Sequence, residues 1–421
     1  MKFNKWTMGL AAVGVVSLAS AARADETPMS QVQTSLSNTT LSGYVDTSAM
    51  WNTGTQNGAT TGGEYGQLPP YTPGLTHGDG FNLNAVDIAL DKPMDESPWA
   101  AGYHVELMFG QDAVGSPLAS TSGGDGDEST TVSQATIRQA YLSLRTPIGN
   151  SGIDWKVGFW DTIIGYESSS RPLDPNFTSS YGWFIEPTSH TGILGTYKVN
   201  DLMSVSGGIA NSTQGNASNG NIPGTYGNPY ESQKAYMGSV TLTAPDSWGW
   251  MKGGTLTSGV IVADNGSAST TGNGTTWVYV GATIPTPMDA LKFGVAFDYK
   301  DLHDGGVSGN PSNDSIWVIG GYGSYQATDK LLLSVRGENY CATAAGSSAG
   351  VPAEGHNVQE FTATAQYKLW QNVVSRLEFR WDHVAAGKAW DNTTSYNGEF
   401  YSVTAAHKNE FLLAADFAYQ F

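Results

Sequence analysis

The sequence predicts an all-β protein: a transmembrane antiparallel β-barrel of about 16 strands, with short periplasmic turns and long extracellular loops. Three observations support this prediction. Strand-length segments alternate in polarity, the connections between them alternate in length, and the chain ends on an apolar ladder. Only 14% of the 421 residues are charged, while 52 are Gly, 20 are Tyr and 13 are Trp. Low charge combined with many aromatic residues argues against disorder.

Sixteen segments alternate apolar and polar residues with a period of two, which is the repeat of a β-strand. Each has about the 9–11 residues that a tilted strand needs to cross a bilayer, or slightly more. The predicted strands are residues 41–51, 80–91, 101–111, 134–146, 152–161, 187–198, 201–211, 232–244, 253–263, 275–285, 289–301, 313–326, 329–340, 357–370, 373–384 and 408–421.

The two faces of these segments differ in chemistry, and the segment 376–382 shows this well. Its apolar face carries Leu377, Phe379 and Trp381. Its charged face carries Arg376, Glu378, Arg380 and Asp382. A lipid-facing side and a wet lumen side explain the pattern, since unpaired charges inside a soluble core would be very costly. The alternative is a soluble sheet with its polar face in water.

The alternation changes phase within residues 81–90, which predicts a β-bulge or a change of register there. The connections alternate strictly between short and long. Short ones occur at 198–201, 285–289, 326–329 and 370–372. Long ones rich in Gly, Ser, Thr, Asn and Asp cover 52–79, 112–133, 162–186, 212–231, 264–274, 302–312, 341–356 and 385–407. This two-sided asymmetry is typical of an outer-membrane barrel.

Both ends of the chain agree with this prediction. Lys2, Lys5, a short apolar run at 8–18 and an A-x-A motif at 22–24 predict a secretory signal peptide over residues 1–24. An uncleaved anchor is the alternative, but the apolar run is short for a bilayer. Residues 25–40 would be a periplasmic N-terminal segment, and 41–421 the barrel.

The last strand carries an apolar face that ends at Phe421. We expect this strand to pair with the first one in a closed barrel, and both termini to be periplasmic. The terminal aromatic residue also predicts recognition by the barrel assembly machinery of the bacterial outer membrane.

A closer resemblance lies in the stretches LSGYVDTS, ELMFGQDA, RQAYLSLRTP, KVGFWDTIIGYES, LDPNFTSSYGWFIEP and HTGILGTYKVND, which occur in this order. They resemble the OmpL-like β-barrel porin family (β-barrel porin type two), most strongly over residues 41–201. The resemblance implies an outer-membrane channel of ill-defined substrate, without a catalytic motif. It assigns structural or pore-loop roles to Gly165, Tyr166, Glu167 and Pro187. The first long loop, 52–79, is longer than the family leads us to expect.

The third long loop, 162–186, is too apolar for a freely solvated loop, so we expect it to fold into the lumen as a constriction. Its charged residues are Glu167, Arg171, Asp174 and Glu186. Three lumen-side arginines are expected to face it across the pore: Arg336, Arg376 and Arg380. The alternative is that the loop packs over the barrel rim. The arginines would then pair locally with Glu338, Glu378 and Asp382.

Other functional signals are weak. Asp125, Asp127 and Glu128 lie on a Gly-rich stretch that could attract Ca²⁺, but the twelve-residue ligand pattern is missing. The seven His residues show no HxH or HExxH spacing, so no dedicated metal site is expected, and we expect no cofactor. The net charge of −18 disfavours nucleic-acid binding.

The sequence therefore favours a water-filled channel for passive diffusion of small hydrophilic solutes or ions through outer-membrane lipid, because a sixteen-stranded barrel leaves an aqueous lumen. A homotrimer is expected by analogy with sixteen-stranded porins. One alternative is a plugged barrel that serves surface binding or adhesion. The other is an outer-membrane hydrolase, which needs a nucleophile or a carboxylate–His constellation. Since no such constellation is visible by spacing, we expect no enzymatic activity.

Overall fold

The computed structural model describes residues 38–53, 69, 71–72, 77, 79–113, 135–211, 234–264, 274–302, 314–342, 357–386 and 408–421. These residues form sixteen antiparallel strands in one closed barrel. Strand neighbours follow the sequence order, and β1 pairs with β16. The fold class predicted from the sequence is therefore confirmed. The predicted signal peptide, 1–24, and most of the segment 25–40 lie outside the described residues.

The strand bounds agree with the predicted ones to within two residues at every end. The strands are β1 (Thr40–Asn52), β2 (Gly80–Lys92), β3 (Ala101–Phe109), β4 (Ala135–Thr146), β5 (Ile153–Asp161), β6 (Ser189–Lys198), β7 (Met203–Asn211), β8 (Lys234–Thr243), β9 (Thr255–Asp264), β10 (Gly274–Pro285), β11 (Leu291–Leu302), β12 (Asp314–Gln326), β13 (Leu331–Ala342), β14 (Asn357–Trp370), β15 (Val373–Val384) and β16 (Asn409–Gln420).

Helical structure is sparse in the described part of the chain. It comprises three 3₁₀ turns and one helix of five residues, α1 (Tyr181–Ile185). None of these helices has both the length and the apolar character needed to cross a membrane.

The phase change predicted within 81–90 is a β-bulge. The register between β1 and β2 moves from Asp46 opposite Ala85 to Thr47 opposite Leu83. Asn84 is therefore the extra residue of β2. Its side chain is buried on the inner side of the barrel and donates a hydrogen bond from Nδ2 to Asp46 Oδ1 at 3.1 Å. The bulge lets the apolar face of β2 remain outward on both sides of Asn84.

Polarity is inverted relative to a soluble protein. On β15, Leu377 and Phe379 are exposed on the outer face, whereas Arg376 and Arg380 on the inner face are almost completely buried. The outer aromatic and aliphatic side chains suit a lipid environment, and the charged inner face suits an enclosed polar lumen. Trp99, Trp248 and Trp370 are exposed beside the short turns, where an aromatic girdle is expected.

The barrel closes through Gly43 and Phe421, which exchange both backbone hydrogen bonds at 3.0–3.1 Å. The backbone of Gly43 passes very close to its neighbours. A Cβ added there would lie 2.1 Å from the carbonyl oxygen of Asp87 and 2.8 Å from Cζ of Phe421. The absence of a side chain at position 43 therefore allows β1 to approach β2 and the end of the chain together.

We expect Gly43→Ala to destabilise the barrel by about 1–3 kcal/mol, because the added methyl group overlaps backbone atoms that cannot rotate away. Thermal unfolding in detergent, followed by heat-modifiable gel mobility, measures the change. Gly321→Ala is the matched control, because a Cβ at this strand glycine meets nothing within 4 Å. Equal melting temperatures for the two variants would contradict this account of the closure.

Candidate functional site

The loop between β5 and β6, residues 162–188, lies inside the barrel. Ile163 and Ile164 are buried in an apolar cluster on the inner wall, together with Leu194 and Met237. Farther along, Tyr166 stacks on a tyrosine of β12, with the ring centroids 4.1 Å apart. The loop therefore crosses the inner faces of several strands before its central part, residues 171–182, reaches β13–β16.

Arg376 of β15 holds the first half of this central part. Its Nη1 donates to the backbone carbonyl oxygens of Arg171, Asp174 and Asn176 at 2.9, 3.0 and 3.2 Å. Its Nε donates to the carboxylate of Asp416 on β16 at 2.5 Å. The Arg376 guanidinium group thus binds three loop carbonyls, and the Asp416 carboxylate of the barrel wall balances its charge.

Arg336 and Arg380 hold the next residues of the loop. Arg336 Nη1 donates to the carbonyl oxygen of Thr178 at 2.6 Å, and Arg380 Nη1 donates to that of Ser179 at 2.7 Å. Arg380 also forms a bidentate pair with Asp382 at 2.9 Å. Planar guanidinium groups suit this role because they offer several donors in a fixed arrangement.

Two wall carboxylates bind the N–H groups of the same stretch. Glu378 accepts from the backbone N–H of Phe177 at 2.6 Å and of Thr178 at 2.8 Å. Glu338 accepts from the backbone N–H of Tyr181 at 2.8 Å. Hydrogen bonds to ionised groups are the stronger ones. Side chains of the barrel thus satisfy donors and acceptors of the loop backbone alike.

The predicted acidic residue Glu167 links two parts of this arrangement. Its Oε1 accepts from Arg336 Nη1 at 2.8 Å, and its Oε2 accepts from the backbone N–H of Ser180 at 2.8 Å. Ser180 is the N-cap of α1, and its hydroxyl oxygen accepts from the N–H of Trp183 at 3.0 Å. Glu167 therefore braces the start of the short helix against β13.

Arg171 and Asp174 lie at the turn of the loop and form an ion pair of 3.4 Å. Arg171 Nη1 also donates a hydrogen bond to the hydroxyl of Ser179 at 2.6 Å, so it connects the turn to the second half of the loop. Asp174 Oδ1 accepts from the N–H of Ser168 at 2.9 Å. Burial raises the pKa of Asp174 to about 7, against the opposing effect of the nearby Arg171 guanidinium.

The exit of the loop is attached through Ile185 and Glu186. Trp277 of β10 donates from Nε1 to the carbonyl oxygen of Ile185 at 2.7 Å. The carboxyl of Glu186 lies within hydrogen-bonding range of the Asp298 carboxyl on β11. Two carboxylates cannot bond without a proton between them, because each is then only an acceptor. Burial, followed by the Asp298 carboxyl, raises the pKa of Glu186 well above its ordinary value.

Part of the first long loop packs against the third loop at Tyr71. The carbonyl oxygen of Tyr71 accepts from the N–H of Ser179 at 2.7 Å. The ring of Tyr71 faces the Arg380 guanidinium at 5.1 Å. It is also buried with Phe177 and Met50 in one apolar cluster. This part of the first long loop therefore covers the centre of the third loop.

Six of the seven predicted site residues form one network, and Glu186 is attached separately through Asp298 on β11. The arginines do not face the loop across the pore, and that part of the prediction is wrong: they lie directly behind the loop and bind its carbonyls. The local pairing of arginines with neighbouring carboxylates, which was the alternative prediction, also exists. It joins Arg380 to Asp382 and Arg336 to Glu338, the latter at 3.6 Å.

Sequence reasoning did not assign a loop-binding role to Glu378 or foresee the contact between Glu186 and Asp298. Period-two alternation placed Glu378 on the charged face of its strand, but it gave no signal of the loop partners of this residue. The weak calcium candidates Asp125, Asp127 and Glu128 lie outside the described residues. Within the described ranges, no group of three or more His, Cys, Asp or Glu residues is arranged to hold a metal ion.

A closed sixteen-stranded barrel with an apolar exterior, a charged interior and an inward-folded loop defines an outer-membrane porin channel. The family described as "putative beta-barrel porin-2, OmpL-like" matches residues 38–421, and the chain belongs to this family. The match extends well beyond residues 41–201, the part of the sequence in which the resemblance is strongest. No curated protein sequence matches the chain.

Solved structures with the same fold include three outer-membrane proteins of low sequence identity. The outer membrane channel DcaP of Acinetobacter baumannii is 14% identical, with a TM-score of 0.56, and the match covers 91% of this chain and 97% of that chain. The anion-selective porin from Comamonas acidovorans is 12% identical, with a TM-score of 0.54, and the match covers 91% of this chain and 99% of that chain. OmpT of Vibrio cholerae, in its trimer form, is 13% identical, with a TM-score of 0.53, and the match covers 91% of this chain and 99% of that chain. At such identities the likeness concerns the fold.

We expect Glu378→Gln to loosen the centre of the loop by about 2 kcal/mol, because the amide keeps one acceptor oxygen but turns an NH₂ group toward a backbone N–H. Hydrogen exchange of the amides at 177 and 178 measures the loss. Asp246→Asn, in an exposed turn, is the control and should leave these amides protected. Unchanged exchange in Glu378→Gln would contradict the role of this carboxylate.

The loop exit should depend on pH. A raised pKa in the folded state means that the proton shared by Glu186 and Asp298 is kept at pH values below the folded pKa and is lost as pH rises through it. Glu167 and Glu338 are the next carboxylates that act on Glu186, and both favour the bound proton. We therefore expect the protection factors of the amides of residues 182–188, which are corrected for base-catalysed intrinsic exchange, to fall at alkaline pH. Glu186→Gln can donate to Asp298 without a titratable proton, so it should remove this pH dependence.

Proposed function

We propose that this porin is a passive diffusion channel in which the loop 162–188 narrows the lumen and sets the size limit for small hydrophilic solutes or ions. The observation that carries the proposal is the attachment of residues 171–182 to the inner wall through both their carbonyl and their N–H groups. A loop fixed in this way acts as a static constriction rather than as a mobile flap. We propose no catalytic role for it.

The path for solutes would run along the less buried surfaces. On the wall, His104, Tyr141 and Lys156 are half-buried on the inner faces of β3, β4 and β5. On the loop, residues 165–170 and the rings of Trp183 and Phe184 are half-buried too. Arg336, Arg376 and Arg380 are at most 1% exposed, so they would shape the pore through the loop without touching solutes.

The remaining proposals concern assembly and orientation. We propose that the short turns and both ends of the barrel face the periplasm after removal of the signal peptide 1–24, and that Phe421 is read by the barrel assembly machinery. One structural relative is described in a trimer form. A homotrimer is our proposal for this chain as well.

Thiol labelling in a planar bilayer tests the constriction. In a Cys341→Ser background, which removes the single native cysteine, Ser169→Cys places a thiol on the half-buried part of the loop. We expect a bulky thiol reagent to reduce single-channel conductance by about half or more, because a narrow pore is sensitive to added volume.

Ser97→Cys in the same background is the control. Ser97 lies exposed in the short turn between β2 and β3, where labelling should leave conductance unchanged. Equal conductance before and after labelling of Ser169→Cys would contradict a constriction at this loop. Absence of any conductance from folded protein would instead favour the plugged barrel that serves surface binding or adhesion.

A further inference from the structure

Every arginine in the described part of the chain is paired with a carboxylate. The pairs are Arg138–Asp161, Arg145–Asp154, Arg171–Asp174, Arg336–Glu167, Arg376–Asp416 and Arg380–Asp382, at 2.5 to 3.4 Å. These guanidinium groups are committed to the wall and the loop, so they leave little positive charge for a passing solute.

Two lysines on the inner face of the barrel are different. Lys300 of β11 lies with its ammonium nitrogen 5.7 Å from the ring centroid of Trp277, and Lys156 of β5 lies 4.6 Å from that of Tyr141. Neither ammonium group forms an ion pair or a hydrogen bond with another described residue. Each ammonium group thus lies near an aromatic ring and has no counter-ion among the described residues.

The surroundings of Lys300 make this arrangement costly. In the sheet it lies opposite Trp277 on β10 and Ile316 on β12, and both neighbours are buried. Lys300 itself is only 7% exposed. A buried ammonium group without a partner loses much of its solvation free energy, and a cation–π contact returns only part of it. The site therefore favours the arrival of a negative charge.

Lys156 shows the same pattern at a different height. It is the fourth residue of β5, near the short-turn end, whereas Lys300 is the tenth of twelve residues in β11, near the long-loop end. The carboxylates that act on Lys156 electrostatically are Asp161 and Asp91. Each of these carboxylates has a nearer partner: Asp161 pairs with Arg138 at 2.5 Å, and Asp91 lies 3.2 Å from Nδ1 of the His104 imidazole.

We propose that Lys300 and Lys156 are contact sites for small anions, including the carboxylate groups of organic solutes, on their way through the lumen. This inference rests on the proposed diffusion function. Because the chain carries a net charge of −18, anions are repelled on average, and two separated cationic points would decide which of them can pass. The ring beside each ammonium group offers an apolar surface for the body of an organic acid.

The test compares wild type, Lys300→Met, Lys156→Met and the double variant in planar bilayers. Reversal potentials are measured in gradients of potassium chloride and of potassium acetate. We expect single-channel steps in all four proteins, and a permeability ratio of anion to potassium that falls about twofold or more in each single variant. Lys300→Arg keeps the charge and should keep the ratio. Lys252→Met, in an exposed turn, should behave as wild type.

Amine labelling of the folded protein supplies a readout that does not need conductance. We expect acetate to slow the labelling of Lys300 and Lys156, measured by mass spectrometry, while the labelling of Lys252 stays constant. If acetate protects the two lysines but the wild-type protein shows no channel steps, the proposed diffusion function is contradicted and the proposed anion sites are supported. Unchanged permeability ratios in the variants, together with no protection by acetate, would overturn the inference.

Discussion

The interior of this barrel depends on one exchange of hydrogen bonds, in which charged side chains of β13–β16 satisfy the backbone of the loop 171–182. A loop with little regular structure must find partners for its N–H and C=O groups when water is excluded. Arg376 supplies donors for three carbonyls, and Glu378 supplies acceptors for two N–H groups. The wall charges neutralise one another, since neither sign could be buried alone without a large desolvation cost.

This exchange also shapes the electrostatics of the channel. An arginine that binds loop carbonyls is no longer available to a solute, although its charge remains in the wall. The loop 162–188 thus covers Arg336, Arg376 and Arg380 on its wall side. The groups that remain available to solutes are few, and Lys156 and Lys300 stand out among them because neither forms an ion pair with a carboxylate in the described part of the chain. Size limit and charge preference would then come from separate parts of the barrel.

Barrel closure is the condition for all of this. In lipid, each strand must pair on both sides, and the reciprocal bonds between Gly43 and Phe421 complete the ring. A closed ring with alternating side chains leaves the inner face as the one place for charge within the membrane. The charged residues of β13–β16 are therefore concentrated on a small concave surface, where a loop of complementary backbone groups can bind.

The sequence alone determined the strands, their closure and the side of the wall on which each residue lies. These follow from local rules: a period of two, the spacing of turns, and the phase change that marks the bulge at Asn84. The tertiary structure alone decided that Arg376 lies behind residues 171–176 rather than across the pore, and that Glu186 meets Asp298. Such contacts join residues more than a hundred positions apart, and their partners are fixed by barrel curvature and loop path, which local patterns do not encode.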